Sequence, residues 1–162
     1  GIKGSSIITN ISGNGSESAI QISGIPNRWI TSKAFTIEGP AMKTGPAIID
    51  FPLHIGDSGI IDAYGLGGQA LHRSPSLKAA LAPWLKSDND QRSQSILMSQ
   101  NIIIDTAVGI DIKQIVGTRN VPLVSTGMVA PNGTGLLGRG LGVMPIEIFE
   151  QANQELINLT KS

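Results

Sequence analysis

An α+β fold, or complex α/β domain, is the class that the sequence predicts, with a mixed sheet, an N-terminal hairpin, glycine-rich loops and a C-terminal helix. Three observations predict it. Aliphatic and polar residues alternate near the start of the chain, which is typical of half-buried strands. The apolar spacing changes to a helical period from residue 74 onward. The last segment, over 144–159, has a proline near its first turn, early glutamates and apolar residues at helical spacing.

The first half of the chain predicts short strands. Segments 5–12 and 17–23 alternate between aliphatic and polar residues, and Gly13-Asn14-Gly15 lies between them. Because Asn-Gly accepts positive φ at low cost, we expect a β-hairpin there. Further strands are expected over 27–31 (a third strand or an edge), 47–51 and 59–64.

The second half predicts helices interrupted by strands. Ser74 and Pro75 suit a helix start, and Pro83 should kink or shorten that helix. A second helix should begin at one of three polar residues, Asp88, Asn89 or Asp90. The segments that follow are predicted as a buried strand over 101–105, a short helix or strand over 110–116, a strand over 121–129 and the helix over 144–159.

Composition excludes several classes of protein. The 162 residues suit one domain, 1–162, and because the chain opens with Gly1 we expect a fragment or processed part of a longer sequence. The absence of cysteine excludes thiol catalysis, thiolate metal sites and disulfides, which fits a cytoplasmic protein. Twelve basic residues balance twelve acidic ones and aromatics are only 4%, which disfavours nucleic-acid binding. No apolar run is long enough for a membrane span.

The letters GDSG around Ser58 match the nucleophile motif of chymotrypsin-like proteases. Such a protease needs a separate histidine base and aspartate. His54 lies only four residues before Ser58, and Ile60-Ile61 follow where that family has glycine and proline. We therefore do not assign Ser58 as a protease nucleophile.

Two glycine-rich segments match loops that hold phosphate or carboxylate. GLGGQA over 65–70 has the spacing of a dinucleotide loop, but it equally suits a tight turn against a helix or a site for a smaller anion. The segment 132–140 lacks the Lys-Ser/Thr of a P-loop. Its Arg139 could grip a carboxylate or phosphate bidentately, or could simply be solvated.

The carboxylates and histidines do not define a metal site. His54 and His72 lack the spacing of a histidine pair on one helix. No spacing singles out a ligand set among the aspartates near the ends of apolar runs, and we predict neither a metal nor a cofactor. These aspartates are Asp50, Asp57, Asp62, Asp105 and Asp111.

Several motifs in order resemble the YlbE-like family, a bacterial family long known only as a domain of unknown function. They begin with the Asn14-Gly15 turn and the Arg28-Trp29 pair. A Gly-Asp loop at 56–57 leads to Gly-Leu-Gly-Gly at 65–68, and Gly-Ile-Asp follows at 109–111. A Thr-Gly strand end and a proline-capped last helix complete the match. Typical members are much longer, and the chain resembles their later portion.

The resemblance implies a role in carbamoyl transfer. Some members are linked to oxamate carbamoyltransferase, which ends anaerobic allantoin breakdown. That enzyme transfers a carbamoyl group between oxalurate and phosphate, giving oxamate and carbamoyl phosphate. We therefore expect a small anionic substrate, an oligomer, and partners that are other subunits or the remaining N-terminal portion. Asp57 is the predicted catalytic residue. The predicted substrate-binding residues are Ser58, Gly65, Gly67, Gly68, Asp111, Thr126, Gly127, Gly135 and Arg139.

Two alternatives remain open at this point. The chain could be a non-catalytic binding or assembly module of a multi-subunit complex. It could also be a nucleotide-binding enzyme, on the strength of the two glycine motifs.

Overall fold

The α+β class is confirmed by the computed structural model, which describes residues 2–42, 48 and 50–161. The strands are β1 (Ile8–Asn14), β2 (Glu17–Ile22), β3 (Ile25–Lys33), β4 (Ile55–Gly56), β5 (Leu97–Asn101), β6 (Thr106–Ile110), β7 (Leu123–Val129) and β8 (Leu136–Val143). The α-helices are α1 (Gly59–Tyr64), α2 (Pro75–Leu81), α3 (Asn89–Gln94), α4 (Ile112–Thr118) and α5 (Ile146–Lys161). Short 3-10 helical segments cover Gly67–Arg73 and Ala82–Trp84. That residues 1–162 form a single domain stays a prediction.

The strands are distributed among three antiparallel sheets instead of one mixed sheet. The largest has the order β3-β2-β1-β4, and the hairpins β5–β6 and β7–β8 form the other two. The pairings between these strands are all antiparallel. Hairpins need only short connections, and apart from β4, which pairs with β1, the paired strands are neighbours in sequence.

The predicted N-terminal hairpin is confirmed. Asn14 closes it, because its side-chain oxygen accepts hydrogen bonds from the amides of Ser16 (2.9 Å) and Glu17 (2.7 Å). Gly15 supplies the positive φ, 87°. β3 contains the predicted 27–31 strand and lies at the edge of the sheet.

The strand predicted over 59–64 is wrong, since this segment is helix α1. Its buried residues, Gly59, Asp62 and Ala63, have helical spacing, while the two isoleucines face outward. A Cβ at Gly59 would lie 2.8 Å from Ile11, so the missing side chain lets α1 lie directly on β1. The aliphatic letters favoured a strand because sequence alone does not show which side of the segment is covered.

The buried strand predicted over 101–105 is also wrong. β5 ends at Asn101, and Ile102 and Ile103 in the following turn are each 89% exposed. The side chain of Asn101 accepts a hydrogen bond from the amide of Ile103 (2.9 Å), and Asp105 adopts a positive φ of 46°. The hydrogen bond and the positive φ together close the turn. The strand predicted over 47–51 lies partly outside the described residues, and residues 48, 50 and 51 are not in a strand.

β8 is a strand that the glycine-rich sequence led us to predict as a loop. Gly138, Gly140 and Gly142 alternate along β8, so they share one face. A Cβ at these positions would lie 2.2 Å from Pro40 O, 2.6 Å from Glu38 O and 2.2 Å from the Phe35 ring, respectively. The glycines therefore allow the segment 35–42 to cross the face of the hairpin at backbone contact distance.

The helices of the second half largely follow the sequence. α2 ends before a 3-10 turn that contains Pro83, as expected. The segment 110–116 divides into the end of β6 and the start of α4, and α5 confirms the predicted C-terminal helix. α3 starts within the expected range, directly after Asp88, and ends at Gln94.

The core joins the N-terminal sheet to α5. Ile11, Ile20 and Phe149 are each 0% exposed and belong to one apolar cluster, which also receives side chains from α4 and β7. A smaller cluster of Leu71, Leu81 and Leu141 lies between the 3-10 segment, α2 and β8. None of the described helices is long and apolar enough to cross a membrane.

Candidate functional site

Asp62 is a fully buried carboxylate at the centre of the candidate site. It lies on α1 with 0% of its surface exposed. Its Oδ1 accepts hydrogen bonds from the amides of Gly68 (2.6 Å) and Ser125 (3.1 Å). Its Oδ2 has no hydrogen-bond partner among the described residues. One oxygen of Asp62 thus joins the turn after α1 to β7. We call this group the Asp62 clamp, and it consists of Asp62, Gly67, Gly68 and Ser125.

Burial raises the pKa of Asp62 to about 7. The amides of Gly68 and Ser125 and the positive charge of Arg139 act in the opposite direction, because each stabilises the ionised form. The clamp therefore contains a carboxyl group that changes charge near neutral pH. Such groups are concentrated at functional sites, although structural clamps can also perturb a pKa.

The glycines of the 65–68 turn are explained by close packing around this carboxylate. Gly67 has φ 58°, and a Cβ there would lie 2.4 Å from Asp62 Oδ1. A Cβ at Gly68 would lie 2.5 Å from the carbonyl oxygen of Leu123. Gly65 ends α1 with φ 101°, and its amide donates to the carbonyl of Asp62.

The same turn has few amides free for a ligand. Those of Gly65 and Leu66 donate to carbonyls of α1, that of Gly68 donates to Asp62, and that of Gln69 donates to the carbonyl of Leu66. A phosphate-binding loop needs its amides directed at the anion. The geometry therefore favours a clamp over a nucleotide loop at this position.

A serine–threonine pair lies beside the clamp. Ser58, just before α1, donates its hydroxyl to Thr126 Oγ1 at 2.5 Å. Thr126 is 4% exposed, whereas Ser58 is half-buried. The sequence placed both residues in the site from separate motifs, and the structure brings their side chains into contact.

Arg139 adds a positive charge to this region. Its Nε donates to Ser125 Oγ at 3.1 Å, and its backbone pairs with Gly127 across the β7–β8 hairpin. The residue is exposed, so its guanidinium can meet solvent or a solute. Because side chains alternate along a strand, Ser125 and Arg139 share one face of the hairpin, and Thr126 points to the other.

The remaining predicted residues lie apart from this group. Asp57 is exposed one residue before Ser58, and its carbonyl accepts the amide of Ile60. Asp111 caps α4 by accepting the amide of Lys113 at 2.9 Å. Gly135, with φ 105°, lies in the β7–β8 connection, where its carbonyl accepts the amide of Ala130.

Sequence reasoning missed two parts of the site and its surroundings. Ser125 carried no local signal, since its partners lie 63 and 14 positions away along the chain. His54 is fully buried, bonded through Nδ1 to Ser18 Oγ (2.9 Å) and stacked on Phe35. Burial lowers the pKa of His54 to about 4. Within the described part of the chain, no group of three or more His, Asp or Glu residues could hold a metal ion.

Comparison with known proteins finds similarity to a subunit of oxamate carbamoyltransferase. The family described as oxamate carbamoyltransferase subunit AllG matches residues 1–58. The AllG subunit of Escherichia coli is 28% identical over 167 residues, which covers 96% of this chain and 40% of that protein. An uncharacterised Escherichia coli protein, YahG, is 29% identical over 163 residues, covering 94% of this chain and 34% of YahG.

A solved structure supports the fold. The crystal structure of a conserved protein of unknown function from Enterococcus faecalis is similar with a TM-score of 0.81 and 29% identity. The similarity covers 98% of this chain and 40% of that one. The chain thus spans between about a third and two fifths of the length of these relatives. The chain is therefore similar to the AllG subunit of oxamate carbamoyltransferase, whereas the resemblance to the YlbE-like family by name stays a prediction.

Proposed function

We propose that this chain is a subunit or domain of a cytoplasmic carbamoyltransferase-like enzyme that acts on oxalurate or oxamate and carbamoyl phosphate. Similarity to AllG supports the carbamoyltransferase system. The observation that supports an anion site is the position of Arg139. Arg139 is exposed, and its Nε donates a hydrogen bond to Ser125, a member of the Asp62 clamp. In this proposal the chain works in an oligomer with further subunits or with the portion that its longer relatives contain.

The ligands of this reaction suit an arginine. Oxalurate and oxamate carry a carboxylate, and carbamoyl phosphate carries a phosphate, both of which a guanidinium can bind with two parallel hydrogen bonds. Ser125 accepts a hydrogen bond from Nε of Arg139, and among the described residues the terminal nitrogens have no hydrogen-bond partner, so they can bind an oxyanion. The clamp fixes Ser125 through its amide, so Asp62 is a positioning residue in this proposal.

The reaction itself is an acyl transfer. A phosphate oxygen attacks the carbamoyl carbon of oxalurate, the bond from that carbon to the oxamate nitrogen breaks, and the proton of the phosphate passes to the leaving nitrogen. In this proposal Asp57, which is exposed next to Ser58, would position the carbamoyl NH2 or relay that proton. The Ser58–Thr126 pair, beside the clamp, would add polar contacts to the ligand, while the glycines at 65–68 would act by packing around Asp62.

Binding of carbamoyl phosphate and of oxamate, measured by calorimetry on this chain, tests the proposal. We expect Arg139→Ala to weaken binding at least about tenfold, because a hydrogen bond to a charged group contributes about 1.5–3 kcal/mol. Arg28→Ala is the matched control, since Arg28 is also exposed but pairs with Glu155 on α5. Equal binding by wild type and Arg139→Ala would contradict the Arg139 site, and in an active assembly Asp57→Asn should lower turnover.

A non-catalytic assembly module is the second candidate, because part of the surface is strongly apolar. α1 turns Ile60, Ile61 and Tyr64 outward, and the β5–β6 turn exposes Ile102 and Ile103. The hydroxyl of Tyr64 accepts a hydrogen bond from Asn101 (3.2 Å), so the two groups adjoin. Stable binding of a partner subunit by a chain that binds neither anion would favour this function.

A further inference from the structure

A second cavity, separate from the Asp62 clamp, is lined by two polar side chains of α3. It has a volume of about 70 Å3 and lies between α3, the 3-10 turn at Trp84 and the β7–β8 hairpin. Asn89 and Ser93 line it and are only 7% and 3% exposed. Their side chains have no hydrogen-bond partner among the described residues, and their polar atoms are accessible from the cavity.

The cavity also has a positive edge. Lys86 and Arg92 line it together with the two polar side chains. Asp88 approaches Arg92 only at 3.9 Å, and Lys86 is exposed without an ion pair among the described residues. Because a water molecule takes about 30 Å3 in the liquid, 70 Å3 is enough for a carboxylate group.

An apolar groove continues from this cavity. Trp84, Leu123 and Val143 line both spaces, and the groove adds about 270 Å3. Phe35, Leu141 and the exposed residue Glu38 also line the groove. The combined space is therefore polar and positive where Asn89 and Ser93 lie, apolar in the middle, and bordered by one acidic residue at the far end.

We propose that this space binds a small organic acid, with its carboxylate between Asn89, Ser93 and the two cations and its aliphatic or aromatic body along Trp84. An amide and a hydroxyl can each donate a hydrogen bond to the carboxylate, which would satisfy both unpartnered groups. Glu38 disfavours a second negative charge on the apolar end, so the site selects monocarboxylates. The inference is independent of the anion site at Arg139.

Titration with hexanoate and phenylacetate tests the proposal. The chain has two tryptophans, and in a Trp29→Phe background Trp84 is the single fluorescent reporter. We expect a saturable change of Trp84 fluorescence with either acid and at least about tenfold weaker binding of hexan-1-ol. Asn89→Ala with Ser93→Ala should weaken hexanoate binding at least about tenfold, whereas Gln94→Ala, exposed on the same helix, should leave it unchanged.

A surface variant keeps the test decisive if the double substitution unfolds. Lys86→Gln removes one positive charge from an exposed side chain, and we expect it to weaken hexanoate binding about threefold and to reduce its salt dependence. No saturable signal, equal binding of hexan-1-ol, or unchanged affinity in folded variants would each overturn the proposal.

Discussion

Two buried ionisable groups, His54 and Asp62, lie only eight positions apart but are held in different ways. His54 makes one side-chain hydrogen bond, to Ser18, and stacks on Phe35. Asp62 accepts two backbone amides with a single oxygen. Burial lowers the pKa of His54 to about 4 and raises that of Asp62 to about 7, so in each case the fold favours the neutral form.

The difference shows which of the two groups organises the structure. His54 fills space under the N-terminal sheet, and its Nε2 has no hydrogen-bond partner among the described residues. Asp62 joins three separate segments, namely α1, the turn at Gly68 and β7. Removing Asp62 would leave two buried amides without an acceptor, while changing the surroundings of His54 is mainly a question of packing.

The largest effect is expected from Asp62→Ala. At pH 5 this variant should lose about 2–6 kcal/mol of unfolding free energy, because two buried amides each lose their acceptor at about 1–3 kcal/mol. Asp62→Asn is the matched control, since its amide oxygen can still accept both bonds, and it should stay within about 1 kcal/mol of wild type. Urea unfolding at pH 5 measures both. Similar losses in the two variants would show that the hydrogen bonds are not the cause.

A smaller loss is expected from crowding His54. In Gly13→Ala the new Cβ would lie 2.6 Å from both Nδ1 and the carbonyl oxygen of His54, which should cost about 1–3 kcal/mol. Gly117→Ala on α4 is the control, because a Cβ there meets nothing within 4 Å. A helical position should gain up to about 1 kcal/mol from this change. Thermal unfolding compares the two, and equal stabilities would contradict tight packing around His54.

The smallest effect is on the pH dependence of stability. The folded-state pKa of Asp62, about 7, exceeds its ordinary value of 3.8, so rising pH across this window lowers the unfolding free energy. The folded-state pKa of His54, about 4, lies below its ordinary value of 6.5, so rising pH across that window raises the unfolding free energy. The two trends oppose each other between about pH 4 and 6.5 in wild type.

Asp62→Asn separates these two trends. Without the carboxyl group, unfolding free energy should rise with pH up to about 6.5, by no more than about 1.4 kcal/mol per pH unit. Urea unfolding between pH 4.5 and 7.5 gives the slope. Parallel pH curves for wild type and Asp62→Asn would mean that Asp62 keeps an ordinary pKa in the folded protein.

The parts of the fold that the sequence predicted are those held by local interactions. The Asn14 turn uses amides two and three residues away, and α5 depends on its own proline start and apolar face. The candidate site does not follow this rule, because its contacts are long-range. Ser58 and Thr126 were expected in one site with Arg139; the structure brings the first two into contact, and Arg139 lies on the other face of the hairpin.

Two of the wrong predictions share a cause. The aliphatic letters of α1 and of the β5–β6 turn predicted strands, the second of them buried, yet both segments turn isoleucines to the surface. β8 was predicted as a loop because glycine is rare in strands. Its alternating glycines at 138, 140 and 142 were the signal for close approach of another segment, but the identity of that segment is not encoded locally.

The sequence by itself determined the α+β class, the first hairpin, the C-terminal helix and the glycines without which the close contacts could not form. Only the tertiary structure decided that Asp62 is buried, that Ser125 and Gly68 share its oxygen, and that Asn89 and Ser93 face a cavity. The physical reason is distance along the chain. Turns and helices close within a few residues, whereas the clamp joins positions 6 and 63 residues apart, and such contacts exist only after the layers have packed.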